Sequence, residues 1–160
     1  MRIFLLAVLV TGVFAETRVG KPLPEFSLKS VDGQSLTSSN FTGKTLVIWF
    51  FSSWDKASRK QLPILEDLQR DYGTNGVVVL GVSLDSNGPA AVKAFAATNH
   101  VNFAIAMADM DFIQSAGGLD SVPTTLIVEP HSNIIGRYVG VTARPALEAD
   151  LKAILNQGKD

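Results

Sequence analysis

Asp55, Lys56 and Ser58 stand close together and carry the groups from which a polar reaction centre is built: a carboxylate, an ammonium and a hydroxyl. A serine becomes a nucleophile when a neighbouring base takes its proton, and histidine does this most often. The chain has two histidines, His100 just ahead of a predicted strand and His131 in a predicted hairpin turn. Neither position suggests a partner for Ser58, and both read as surface polar residues. Together with Asp109, Asp111 and Asp120 they show no spacing that would gather ligands round a metal, so neither a metal nor a cofactor is expected. Asp55 has a simpler role open to it. Asp is a favoured helix N-cap that accepts from the backbone N–H of Ala57 or Ser58, and its charge suits the positive end of a helix. The other reading, left open, is a new site with Asp55 as base or ligand and Ser58 as nucleophile.

No cysteine occurs among the 160 residues. That excludes disulfide staples, thiolate nucleophiles, zinc–cysteine clusters and lipid-modified cysteine. A hydrophobic fraction of 46% against 18% charged residues describes one domain able to build a core. The formal charge of -1 supplies no general field for nucleic acid or an anionic membrane, so partners must be recognised locally.

The elements around these residues follow from periodicity. The run Thr45 to Ser52 is β-branched and aromatic without polar alternation, which predicts a strand buried on both faces of a sheet. Asp55 opens a helical pattern with Leu62, Leu65, Leu68 and Tyr72 on one face, kinked near Pro63 and closed at Gly73 to Gly76. Gly76 to Ser83 is a second buried strand, giving a right-handed βαβ unit. A helix over Ala90 to Thr98, a strand near Asn102 to Met107 and a short helix over Asp111 to Ala116 follow. The segments from Thr124 and from Ile134 read as an antiparallel hairpin, and Pro145 starts a last helix with Leu147, Leu151, Ile154 and Leu155 on one face. Ahead of all this, Gly20 to Pro24 reads as an extended lead-in to a short hairpin that turns at Asp32-Gly33. The fold class is α/β: a central mixed sheet flanked by helices, with an N-terminal β-hairpin extension and a central αβ insertion.

Several short motifs now fall into a familiar order: Pro24-Glu25-Phe26-Ser27-Leu28, Phe41-Thr42-Gly43-Lys44, Phe50-Phe51-Ser52-Ser53-Trp54, Arg59-Lys60-Gln61-Leu62-Pro63, Val77 to Asp85, and Val122-Pro123-Thr124-Thr125-Leu126-Ile127. From about Gly20 to Leu155 the chain resembles the thioredoxin-like superfamily, and within it the exported TlpA-type thiol-disulfide oxidoreductases and redoxin domains. The resemblance implies a thioredoxin-like fold and places a Cys-x-x-Cys motif directly after Trp54. Here those positions are Asp55-Lys56-Ala57-Ser58. Neither a carboxylate nor a hydroxyl can run thiol–disulfide exchange, so no catalytic residue is expected by that route and Asp55 and Ser58 are degenerate active-site positions. The resemblance also implies a cis Val122–Pro123 peptide facing the start of the Asp55 helix, in a loop that presents main-chain groups to an extended substrate. Trp49 stands where thioredoxins place a buried acid and is expected to be core.

The sequence therefore leads to the expectation of a redox-inactive thioredoxin-like binding module. Its candidate peptide-binding residues are Trp54, Asp55, Lys56, Ala57, Val122 and Pro123, and its partner a protein or extended peptide segment rather than nucleic acid. The alternative is an enzyme: the family's oxidoreductase with its cysteines replaced, or a new carboxylate or serine activity. Residues 1–15 have a positive start, an apolar run and small residues before Glu16, as in a cleaved signal peptide; the run is shorter than the ~20 residues of a membrane span. Residues 16–160 are then a single periplasmic or secreted domain with no stable membrane insertion. An N-terminal anchor is the alternative.

Overall fold

The computed structural model describes residues 20–157. The expected signal peptide lies outside them. Short strands β1 (Lys21–Pro22), β2 (Ser27–Lys29) and β3 (Ser35–Thr37) lead into β4 (Thr45–Phe51), α1 (Lys56–Tyr72), β5 (Val77–Ser83), α2 (Pro89–Thr98), β6 (Ala104–Met107), α3 (Met110–Ser115), β7 (Thr124–Val128), β8 (Asn133–Val139) and α4 (Arg144–Gln157). Six strands form a mixed sheet in the order β1-β8-β7-β4-β5-β6, and β2–β3 is a separate hairpin.

Every residue of β4 is buried, because the strand lies between β5 and β7 and is covered on both faces. Its side chains split by the two-residue period of a strand. Val47, Trp49 and Phe51 meet Leu62, Leu65 and Leu68 of α1, Val92 and Phe95 of α2, and Leu147 and Leu151 of α4. Leu46, Ile48 and Phe50 meet Phe26 and Leu28 of the N-terminal segment and Phe112 and Ile113 of α3. The β4-α1-β5 and β5-α2-β6 crossovers step in one direction, so their shared handedness sends α1 and α2 to the same face. The return from β6 to β7 carries α3 across the opposite one.

Trp49 is fully buried, as expected, and its ring stacks on Phe51 with centroids 3.9 Å apart and 3° between planes. Helix α1 runs unbroken through Pro63. Gly76, at φ +85, makes the left-handed turn that delivers the chain from α1 into β5, a conformation costly for a residue with a Cβ.

The lead-in before β2 differs from the sequence reading. Lys21 and Pro22 are a strand in their own right, paired antiparallel with Ile134 and Asn133 at the edge of the main sheet. Proline is tolerated there because an edge strand needs no donor on its outer side. At the opposite edge, the β2–β3 hairpin bonds back to β6 through the Val31 N–H to the Ile105 carbonyl, 3.0 Å, and a bridge between Ser30 and Ala106. The hairpin thereby shields an edge that would otherwise offer unpaired backbone groups.

Candidate functional site

The carboxyl end of β4, the start of β7 and the end of β8 meet at one end of the sheet, because Phe50 pairs with Thr124 and Thr124 pairs with Val139. The segment Ser52 to Asp55 leaves β4 here and enters α1. Asp55 caps that helix: its backbone is extended, at φ -77 and ψ 126, and its Oδ2 accepts the Ser58 backbone N–H at 2.7 Å. This bond, helped by the Ser58 hydroxyl and the Ala57 N–H, holds the Asp55 carboxyl below its ordinary range despite some desolvation. A carboxylate so held is a poor proton acceptor. Ser58 is 1% exposed, and its Oγ accepts the Ser52 backbone N–H at 3.4 Å. The structure thus brings Asp55 and Ser58 together as a cap and a packed hydroxyl.

Trp54 projects from the turn between β4 and α1 with 71% of its surface exposed. Lys56 is exposed, and Ala57 half-buried. The loop opposite carries the cis Val122–Pro123 peptide that the resemblance implies. It is pinned on both sides, by the Thr124 hydroxyl to the Ser121 carbonyl at 2.8 Å and by the Gly140 N–H to the Pro123 carbonyl at 2.8 Å. Pro123 is buried and Val122 half-buried.

Neither histidine reaches this site. His131 is in the β7–β8 turn and His100 ahead of β6, both exposed and at the other end of the sheet. Asp109 is committed to capping α3, accepting from the N–H groups of Asp111 and Phe112. Among the described residues, no group of three or more His, Asp or Glu is arranged to hold a metal ion.

Four contributors are not singled out by the sequence alone. Asp85, 6% exposed, accepts the Ser53 backbone N–H at 3.0 and 3.2 Å and the Ser53 hydroxyl at 3.0 Å, and the Ser83 hydroxyl at 2.5 Å. Gln61, fully buried on α1, bonds both main-chain groups of Thr142: its Nε2 donates to the carbonyl at 3.2 Å and its Oε1 accepts the N–H at 2.6 Å. Val139 and Val141 bring exposed apolar side chains to the same end of the sheet as Trp54, at 58% and 46% exposure. For Asp85 the available signal was an acid two residues beyond a buried strand that is apolar up to Ser83, where a buried carboxylate must find donors.

A family model described as Redoxin matches residues 18–155. The chain belongs to the Redoxin family. Among relatives of this redoxin, the thioredoxin-like protein YneN of Bacillus subtilis (strain 168) is 29% identical over 133 residues, covering 82% of this chain and 78% of YneN. The thiol-disulfide oxidoreductase ResA of Bacillus thuringiensis (strain Al Hakam) is 25% identical over 149 residues, covering 91% of this chain and 86% of ResA. A crystal structure of a thiol:disulfide interchange protein, a thioredoxin family protein from Chlorobium tepidum TLS, superposes with a TM-score of 0.76 at 24% identity, covering 85% of this redoxin and 97% of that chain. This redoxin shares the thioredoxin-like fold of that structure.

Proposed function

We propose that this redoxin is a thiol-independent binding module of the cell envelope that holds an extended peptide or protein segment at the surface formed by Trp54, Asp55, Lys56, Ala57, Val122 and Pro123. The observation that carries this is the state of Val122: its main-chain N–H and carbonyl make no hydrogen bond within the described residues, at the same end of the sheet as a broadly exposed Trp54. An extended segment laid along that loop would satisfy both groups by strand-like pairing, and the indole would cover its apolar side chains. None of this needs sulfur. Electron transfer by the family's dithiol cycle does, and a chain without cysteine has no group to form or resolve a mixed disulfide. The envelope location rests on the character of residues 1–15. No helix among the described residues is long and apolar enough to cross a membrane.

The test has two arms. Insulin reduction with a thiol donor is measured for the native protein and for Asp55→Cys/Ser58→Cys; no turnover above a buffer blank is expected from the first, and gain of turnover from the second. Native turnover would overturn the thiol-independent reading. Crosslinking in envelope extract, with and without Trp54→Ala, checks the surface: the captured species should be lost with the indole, and capture indifferent to Trp54 would sink this site.

A further inference from the structure

Resting on the docking role proposed above, we infer that the captured segment is acidic as well as extended, with its carboxylates over Lys56 and Lys60 and its apolar side chains over Trp54, Val139 and Val141. The first two turns of α1 carry three exposed cations, Lys56, Arg59 and Lys60, and one carboxylate, Asp55, which is committed to the Ser58 N–H. Lys56 and Lys60 are four residues apart and therefore lie one above the other on the helix surface. The residue after Lys60, Gln61, is fully buried and ties α1 to the β8–α4 loop.

Neither lysine has an ion-pair partner among the described residues, whereas Arg70, Lys93, Arg144 and Lys152 are all paired. Arg59 is anchored without a carboxylate. Its Nε donates to the Ser53 carbonyl at 2.6 Å, and its guanidinium lies 5.3 Å from the centre of the Phe95 ring, so its charge adds to the local field. The positive end of the α1 dipole acts in the same sense. Of the acids at this end of the sheet, Asp85 is buried and surrounded by donors, Asp109 caps α3, Asp111 is exposed on α3, and Asp120 is exposed on the far loop two residues before Val122. The exposed charge that α1 carries next to Trp54 is therefore positive, in a chain whose net charge of -1 provides no such field overall. Charge complementarity then orients the segment with its acidic side chains towards α1.

The test uses short synthetic peptides with one alternating Val/Thr centre flanked by Glu, Gln or Lys pairs, titrated calorimetrically into the purified protein. At about 10 mM salt, where charges are screened only beyond ~30 Å, the Glu peptide should bind about fivefold tighter than the Gln peptide and the Lys peptide weakest; the spread should shrink at about 150 mM. Lys56→Glu/Lys60→Glu should reverse the order, Lys56→Gln/Lys60→Gln should flatten it, and Trp54→Ala should weaken all three peptides. Equal binding of the Glu and Gln peptides at low salt, or an order unmoved by charge reversal, overturns acidic recognition while the docking role stands. Absence of binding by all three peptides, or binding indifferent to Trp54→Ala, overturns the docking role and this inference with it.

Discussion

Both oxygens of the buried Asp85 carboxylate accept the backbone N–H of Ser53, at 3.0 and 3.2 Å, so the end of β5 holds the turn that presents Trp54. Ser53 and Ser83 add their hydroxyls to the same carboxylate, leaving a charged group out of water but surrounded by donors. Such bonds are individually stronger than neutral ones, and losing the acceptor leaves the donors unmet. Asp85→Ala should therefore cost roughly 2–3 kcal/mol in urea unfolding at neutral pH. Asp85→Asn, which keeps one carbonyl oxygen, should cost less. Both should weaken peptide binding more than they alter the far-UV circular dichroism, because they free the turn and spare the sheet.

The Asp55 cap predicts a paired result. Asp55→Ala removes the acceptor of the Ser58 N–H and should cost about 1 kcal/mol, while Asp55→Asn keeps an acceptor and should stay within a few tenths of a kcal/mol of the native protein. The folded-state pKa of Asp55 lies below its unfolded value, so its ionic contribution is complete above about pH 4 and is lost as the pH falls through the folded value. The small gap between native and Asn proteins, read from urea midpoints, should close in acid.

Gln61 meets Thr142 with both a donor and an acceptor, and this reciprocity limits what can replace it. Gln61→Leu leaves the Thr142 N–H and carbonyl without their partners and should cost about 1–3 kcal/mol. Gln61→Glu keeps the acceptor but directs a fully buried carboxyl at the Thr142 carbonyl. Burial raises the folded pKa of such a group, so this variant should approach native stability in acid and lose it as the pH rises. Chemical denaturation at pH 4 and pH 7 checks both.

Glu66 has one buried oxygen without a hydrogen-bond partner. Desolvation first, and the Asp67 charge second, raise its pKa, with His100 opposing. A carboxyl with a raised folded value stabilises most when protonated and does so less as the pH rises through that value. Glu66→Gln should raise the thermal midpoint at pH 7 by about 1–2 °C and leave it nearly unchanged at pH 4. A larger gain at pH 4 than at pH 7 would contradict this assignment.

The parts of the fold legible in the sequence were those set by near neighbours. Thr45 to Phe51 lacks polar alternation because both faces of β4 are covered, and Asp55 reads as a cap because the bond it makes reaches only three residues along the chain. The pairing of Lys21 and Pro22 with Asn133 and Ile134 was not legible, since two residues carry no period and their register is set by a strand more than a hundred residues away. Ser53 and Thr142, which Asp85 and Gln61 hold, are likewise remote, 32 and 81 residues distant, and an acid or an amide in isolation reads as surface.

By itself the sequence determined that no thiol stands after Trp54, that a carboxylate and a hydroxyl occupy the helix start instead, and that a buried parallel pair of strands must carry them. These are matters of residue type and short-range period, which a chain displays before it folds. Tertiary structure decided that Ser58 would be sealed, that Val139 and Val141 would join Trp54, and that Asp85 and Gln61 would anchor the flanking turns. Those outcomes depend on which distant backbone groups a buried polar side chain meets, and on which apolar side chains the sheet leaves uncovered, because an unmet polar group is costly only once water has been removed from it.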